Sequence, residues 1–236
     1  MCVLRCKKLL ISTKEKETMK PYDWLFFDLD GTLTDSGLGI MRCAAHALRH
    51  FGIEVSDLNV LRPFIGPPLE DSFQQFYRFS PEQAEQAVRV YRERYRSIGV
   101  FENEVYPGIP ECLDALRAAG YRLALATSKP MDMTAIVMDH FDLRRHFDCV
   151  MARDAEGRLH TKSDVIREAL LTQGITQLDR VLMIGDRKFD VLGAHELGLK
   201  AIGVLYGYGD RPEMEAAAAD HIVSTVGELR AYLLDE

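Results

Sequence analysis

Four aspartates define the chemistry open to this chain. Asp28 and Asp30 stand two residues apart, directly after the apolar run Trp24-Leu25-Phe26-Phe27, and Asp186 and Asp190 stand four apart, just after a second apolar run, Val181 to Ile184. A buried strand tolerates an ionised carboxylate poorly unless each charge meets a cation or hydrogen-bond donors. Gly31 permits a tight turn after the first pair. Extended residues two apart point the same way, which predicts that Asp28 and Asp30 share a side, and residues four apart on a helix share a face, which turns Asp190 towards Asp186. Open α/β sheets bind their ligands at the carboxyl ends of their strands.

Hydroxyls and cations follow the same logic. The run Arg122-Leu123-Ala124-Leu125-Ala126 ends in Thr127-Ser128-Lys129-Pro130, where the Thr127 hydroxyl and the Ser128 N–H can donate to an anionic oxygen or simply cap the next helix. Lys162 opens a helical stretch whose apolar face is Val165, Ile166, Ala169 and Leu170. A cation is mildly disfavoured at a helix N-terminus, so a lysine there invites a reason. Lys129 is the rival for contact with an anion.

The elements that must hold these groups can be read from periodicity. Strands are predicted at Trp24 to Phe27, Arg122 to Thr127, Phe147 to Met151, Val181 to Ile184 and Ala201 to Leu205, with an edge strand at Ile222 to Ser224. Helices fall between them, at Ile109 to Ala119, Met131 to Phe141, Lys162 to Gln173 and Phe189 to Leu197, with a last one from Val226 to Leu234. This alternation implies an α/β fold with a mainly parallel sheet. From about Gly37 to Val100 no strand pattern appears: Ile40, Ala44, Ala47, Leu48 and Phe51 recur at helical spacing, Glu70 to Tyr77 is amphipathic, and Ser80-Pro81-Glu82 reads as an N-cap with proline in the first turn of a long helix. The chain is therefore predicted to be a core built from residues 19–35 and 101–236 with a helical insertion at 36–100.

With 236 residues, 47% of them hydrophobic, the chain can bury a sizeable interior. A formal net charge of −7 argues against nonspecific attraction to nucleic acid or anionic membranes, and no apolar stretch approaches the roughly 20 residues of a membrane span. The five cysteines, Cys2, Cys6, Cys43, Cys112 and Cys149, lack the paired spacing of a zinc site and read as free thiols of a cytoplasmic protein. Residues 1–18 lack the long apolar core of a secretory signal and read as a disordered extension or an alternative start ahead of Met19.

Asp28-Leu29-Asp30-Gly31-Thr32 resembles the first motif of the haloacid dehalogenase-like hydrolases, and the run through Ser36 is similar to their phosphoglycolate phosphatase-like branch. Thr127 resembles that family's second motif. Lys162 stands where the family places its third-motif lysine, although Ser163 replaces the proline common after it. Gly185-Asp186-Arg187-Lys188-Phe189-Asp190 is similar to the fourth motif. The resemblance covers nearly everything from Tyr22 onwards. It implies a three-layer Rossmann-like core with an inserted all-helical C1 cap, and a phosphatase acting on a small phosphorylated metabolite, as a monomer or homodimer. Asp28 would attack phosphorus, Asp30 would serve as acid and base, and Thr127, Ser128, Lys129 and Lys162 would contact the phosphate. Collecting Asp28, Asp30, Asp186 and Asp190 in one pocket demands a cation, and oxygen-only ligands with room for waters suit Mg²⁺. The loop Arg62 to Glu70 is similar to a cap loop facing the active site, which makes Arg62, Gly66 and Glu70 substrate-binding candidates, with turn chemistry the competing role for Gly66. Gly203 to Gly209 is similar to a further loop near the pocket. The rival activities are phosphoryl transfer of the β-phosphoglucomutase kind and a catalytically idle binding protein on the same fold.

Overall fold

The computed structural model describes residues 21–154 and 157–235; the extension expected over 1–18, with Cys2 and Cys6, lies outside the described residues. In chain order, β1 (Trp24–Phe27) and β2 (Thr34–Asp35) lead into the helices α1 (Gly37–His50), α2 (Leu69–Tyr77) and α3 (Pro81–Ser97). The chain returns through β3 (Glu104–Val105) to α4 (Ile109–Ala118), β4 (Arg122–Pro130), α5 (Met131–His140), β5 (Cys149–Arg153), α6 (Lys162–Thr172) and β6 (Val181–Gly185). It closes with α7 (Lys188–Glu196), β7 (Lys200–Val204), α8 (Arg211–Ala216), β8 (His221–Val223) and α9 (Val226–Leu234). The principal sheet has the order β5-β4-β1-β6-β7-β8, parallel throughout.

Strand alternation builds the layers. On β1, Leu25 and Phe27 face one core together with Leu113 and Leu116 of α4, Val137 of α5 and Leu229 of α9, and the inserted helices continue that core. Trp24 and Phe26 face the other core, with Val165 and Ile166 of α6 and Val191 and Ala194 of α7. All four β1 residues are buried, which is why the strand reads as an unbroken apolar run. Each large apolar side chain buried in this way contributes about 1.5–3 kcal/mol.

The helical segment is laid down by local signals. Ser80 closes a capping box: its Oγ accepts from the Gln83 N–H at 3.2 Å, and Gln83 Oε1 accepts from the Ser80 N–H at 2.9 Å. The segment leaves and rejoins the core through β2 and β3, an antiparallel pair with Thr34 opposite Val105 and Asp35 opposite Glu104. Two-residue strands are too short for alternation to reveal, and neither was expected. β5 lies two residues later than expected, because Arg144 to His146 form a single 3₁₀ turn and Phe147 packs edge-on against Phe27 at 6.2 Å instead of entering the sheet. The six-residue α8 was also unforeseen; Asp210 caps it by accepting from the Glu213 N–H at 2.8 Å. Cys43, Cys112 and Cys149 are buried and form no disulfide with one another. Among the described residues no helix is long and apolar enough to cross a membrane.

Candidate active site

Register brings the acids together. Phe27 pairs with Ile184, so the residues that follow each strand, Asp28 and the Gly185-Asp186 turn, emerge side by side, and the Asp28 N–H donates to the Ile184 carbonyl at 3.0 Å. Asp190, in the first turn of α7, accepts from the Arg187 N–H at 3.1 Å and turns back towards them. Asp28, Asp186 and Asp190 each offer a carboxylate oxygen within 4.8 Å of the others. Lys162, at the start of α6, lies 2.7 Å from both Asp28 Oδ1 and Asp190 Oδ1 and donates to the Ala126 carbonyl at 3.0 Å.

These groups are buried, and their charges interact strongly. Burial pulls the Lys162 ammonium towards deprotonation, but Asp190 and Asp28 more than offset this and hold its pKa above the ordinary lysine value. Burial, then Asp190 and Asp28, push Asp186 well above the usual carboxylate range. Burial also raises Asp190, with Lys162 opposing and Asp28 reinforcing the rise. Three carboxylates around one ammonium leave a negative excess in a region of low dielectric, and every donor is an oxygen. Such a set fits a hard divalent cation.

Close backbone approach seals the back of the cluster. Gly31 has φ +85°, and a Cβ there would fall on Asp186 Oδ2; at Gly207 it would lie 2.5 Å from Asp186 Cβ. Asp186 Oδ2 accepts from the Tyr208 N–H at 2.8 Å, and Oδ1 accepts from the Thr32 hydroxyl at 3.4 Å. The Tyr208 hydroxyl donates to Asp35 Oδ1 at 2.7 Å and accepts from the Gly37 N–H at 2.6 Å, tying this loop to the start of the helical segment.

Asp30 stands apart from the three. Both its oxygens accept from Lys129 Nζ at 2.9 Å, and Lys129 also donates to the Tyr95 hydroxyl of α3 at 2.5 Å. The expectation of four side-chain metal ligands therefore narrows to three. β1 ends at Phe27 and the chain enters the Gly31 turn, so Asp28 and Asp30 do not keep the common side that an extended strand would give them. The two lysines meet different carboxylates: Lys162 faces Asp28 and Asp190, and Lys129 faces Asp30. Burial pulls Lys129 down as well, and Asp30 and Tyr95 hold it above its ordinary value.

A cavity of about 910 Å³ opens between the strand ends and the helical segment. Asp28, Asp30, Thr127, Ser128, Lys129 and Lys162 line it, as do Gly66 and Glu70 from the inserted loop. Thr127 Oγ1 is buried and accepts from the Lys129 N–H at 3.3 Å. Arg62 does not line this cavity. In the 3₁₀ stretch Leu58 to Phe64, Leu61 and Phe64 are buried three residues apart, which turns Arg62 outward to a separate cavity of about 690 Å³ beside Asp35 and Asn103. Sequence reasoning did not single out Thr32, Tyr95, Arg187 or Tyr208. Thr32 lies within the first acidic motif and Tyr208 within the loop Gly203 to Gly209, while nothing local marked Tyr95. Arg187 donates to the Ile65 carbonyl and, at 2.9 Å, to Glu213, linking the inserted loop to α8.

A parallel sheet whose two central strands end in carboxylates, roofed by a helical segment and suited to a hard cation, defines an α/β enzyme of the metal-assisted kind. Residues 25–204 match the family model of the haloacid dehalogenase-like hydrolases. A 5'-nucleotidase of Pseudomonas aeruginosa is 42% identical over 212 residues, covering 90% of this chain and 96% of that protein. The tyrosine-protein kinase PtkA of Mycobacterium tuberculosis is 35% identical, covering 89% of this chain and 72% of its own. A phosphoglycolate phosphatase of Vibrio vulnificus is 29% identical, covering 92% and 98%. The crystal structure of a predicted phosphatase from Clostridium acetobutylicum superposes with a TM-score of 0.86 at 43% identity, covering 91% of this chain and 99% of that one. The chain belongs to the haloacid dehalogenase-like hydrolases.

Proposed function

We propose that this enzyme is a Mg²⁺-dependent phosphatase that hydrolyses a small phosphomonoester through an aspartyl-phosphate on Asp28. The observation that carries this reading is the meeting of Asp28, Asp186, Asp190 and Lys162 in a cavity that also holds Asp30. Asp28 attacks phosphorus and the bond to the leaving oxygen breaks, while Asp30 gives that oxygen its proton. A water then attacks the aspartyl-phosphate and Asp30 takes the proton back, which frees inorganic phosphate and restores Asp28. Lys162 offsets charge between carboxylate and phosphate, Lys129 holds Asp30 in place, and Thr127 and Ser128 donate to phosphoryl oxygens. Asp28, Asp186 and Asp190 would hold Mg²⁺, which supplies further charge neutralisation at the reacting phosphate. Residues 36–100 act as a cap over a core of 19–35 and 101–236. The names of the relatives favour nucleoside monophosphates or phosphoglycolate-like compounds as substrates, with sugar phosphates a third class.

A panel of these phosphomonoesters assayed for inorganic phosphate tests the proposal: release is expected with Mg²⁺, to vanish on chelation and to return on adding the metal back. No metal-dependent release from any member would sink it. The kinase name of the mycobacterial relative favours a second reading, transfer of the phosphoryl group from Asp28 to an acceptor other than water. A phosphorylated acceptor formed in place of inorganic phosphate distinguishes the two.

The raised carboxylates give the metal a pH dependence. Asp190 is pushed up to about 6, so protons compete for the site as the pH falls through that value. Mg²⁺ affinity measured by calorimetry is expected to be tighter at about pH 8 than at about pH 5, by roughly tenfold for each proton displaced per pH unit. An affinity independent of pH over that range would place the metal elsewhere.

A further inference from the structure

Among the described residues, the cavity beneath the helical segment carries its charges in pairs, with one exception. Its wall includes six cations: Arg92, Arg96, Lys129, Arg153, Lys162 and Arg187. Arg92 faces Glu70 at 3.7 Å and Arg96 faces Asp132 at 3.0 Å. Lys129 holds Asp30, Lys162 holds Asp28 and Asp190, and Arg187 meets Glu213 at 2.9 Å. The remaining carboxylates of the wall are matched as well, Asp154 with Arg158 at 2.8 Å and Glu196 with Arg167 at 3.4 Å. Arg153 is half-buried, and among the described residues no carboxylate or other hydrogen-bond acceptor meets its guanidinium.

Arg153 is also well placed. It ends β5, in register with Pro130 and beside the irregular stretch of β4 between Thr127 and Pro130. β5 is separated from β1 by β4 alone, and the register places Arg153 about two residues beyond the level of Asp28, so the two positions lie roughly 12 Å apart, two strand spacings across and two residues along. Both residues line the same cavity, and an arginine side chain together with a leaving group of a few atoms is long enough to bridge that interval. A planar guanidinium held partly out of water binds a carboxylate or phosphate through two parallel, charge-assisted hydrogen bonds.

We infer that Arg153 selects phosphomonoesters whose leaving group carries a second anionic group, a carboxylate or another phosphate. The inference rests on the phosphatase reading and gives the core, alongside the helical segment, a part in substrate choice. The test compares 2-hydroxyethyl phosphate, 2-phosphoglycolate and ethylene glycol bisphosphate, which differ in an uncharged, carboxylate or phosphate end. For the wild type, kcat/KM is expected to favour at least one charged substrate over the uncharged one by about 10- to 100-fold, mainly through KM. Arg153→Ala collapses that ratio and Arg153→Lys keeps part of it. Each ratio is formed within one protein sample, so a lowered folded fraction cancels. The substrate whose advantage is lost identifies the anion. A wild type without preference for either charged substrate, or a ratio that Arg153→Ala leaves within about twofold, overturns the inference while phosphate is still released. Turnover of other phosphomonoesters but none of these three overturns it too, whereas no turnover of any phosphomonoester removes the phosphatase reading and the inference with it.

Discussion

Asp28→Asn is expected to lower phosphate release by about four to six orders of magnitude, the scale on which removal of a catalytic nucleophile acts. The carboxamide has nearly the same shape and keeps the backbone bond to Ile184, but its oxygen is a poor nucleophile and a weaker metal ligand. Stability should move the other way. Asp28 raises the cost of ionising both Asp186 and Asp190, so neutralising it relieves repulsion, while Lys162 keeps its contact with Asp190 at 2.7 Å. In chelator the variant is expected to melt at or above the wild-type temperature. A rate within about tenfold of wild type would take Asp28 out of the nucleophile's role.

The second large effect concerns stability. Lys162 is 7% exposed and is the ammonium beside Asp28 and Asp190. Lys162→Ala leaves those carboxylates buried without it and opens a hole where its stem packed. Breaking a buried ion pair by removing one partner costs about 3–5 kcal/mol. Urea unfolding in chelator should show that loss, whereas Lys188→Ala, at the exposed start of α7, should stay within about 0.5 kcal/mol of wild type. Excess Mg²⁺ binds the folded form and is expected to return part of the difference. A loss below about 1 kcal/mol would mean that solvent reaches the cluster freely.

How far the sequence could be read depended on the range of the interaction. The N-cap at Ser80 with proline behind it and the strand ends at Asp28 and Asp186 are local, and residue type with spacing revealed them, whereas α7 starts only at Lys188, so Asp190 reaches Asp186 from the first helical turn and not by a full turn between the two. Alternation of strand and helix revealed the sheet, since both faces of β1 are covered. The pairing of Asp30 with Lys129 was not legible, because it depends on how the Gly31 turn rotates the chain and on Tyr95, over sixty positions downstream. Arg62 was assigned to the wrong cavity because the turn that holds it is 3₁₀, with a period that the α-helical or extended alternatives do not share. Tyr208 joins Asp186 to Asp35 and Gly37 across more than 170 positions, and no local pattern carries such a bond.

The two-residue ribbon of β2 and β3 makes the segment between them an inclusion with a single doorway: the chain departs at Asp35 and comes back at Glu104, directly opposite. Neighbouring strands lie about 5 Å apart, so whatever is spliced into that doorway needs only ends that meet. A different bundle, a longer one or a plain loop would leave the order of the sheet and the register that gathers the aspartates untouched. In this architecture the sheet and the segment spliced into it can diverge separately, with the bonds of Tyr95 to Lys129 and of the Ile65 carbonyl to Arg187 among the threads that a replacement would have to supply anew.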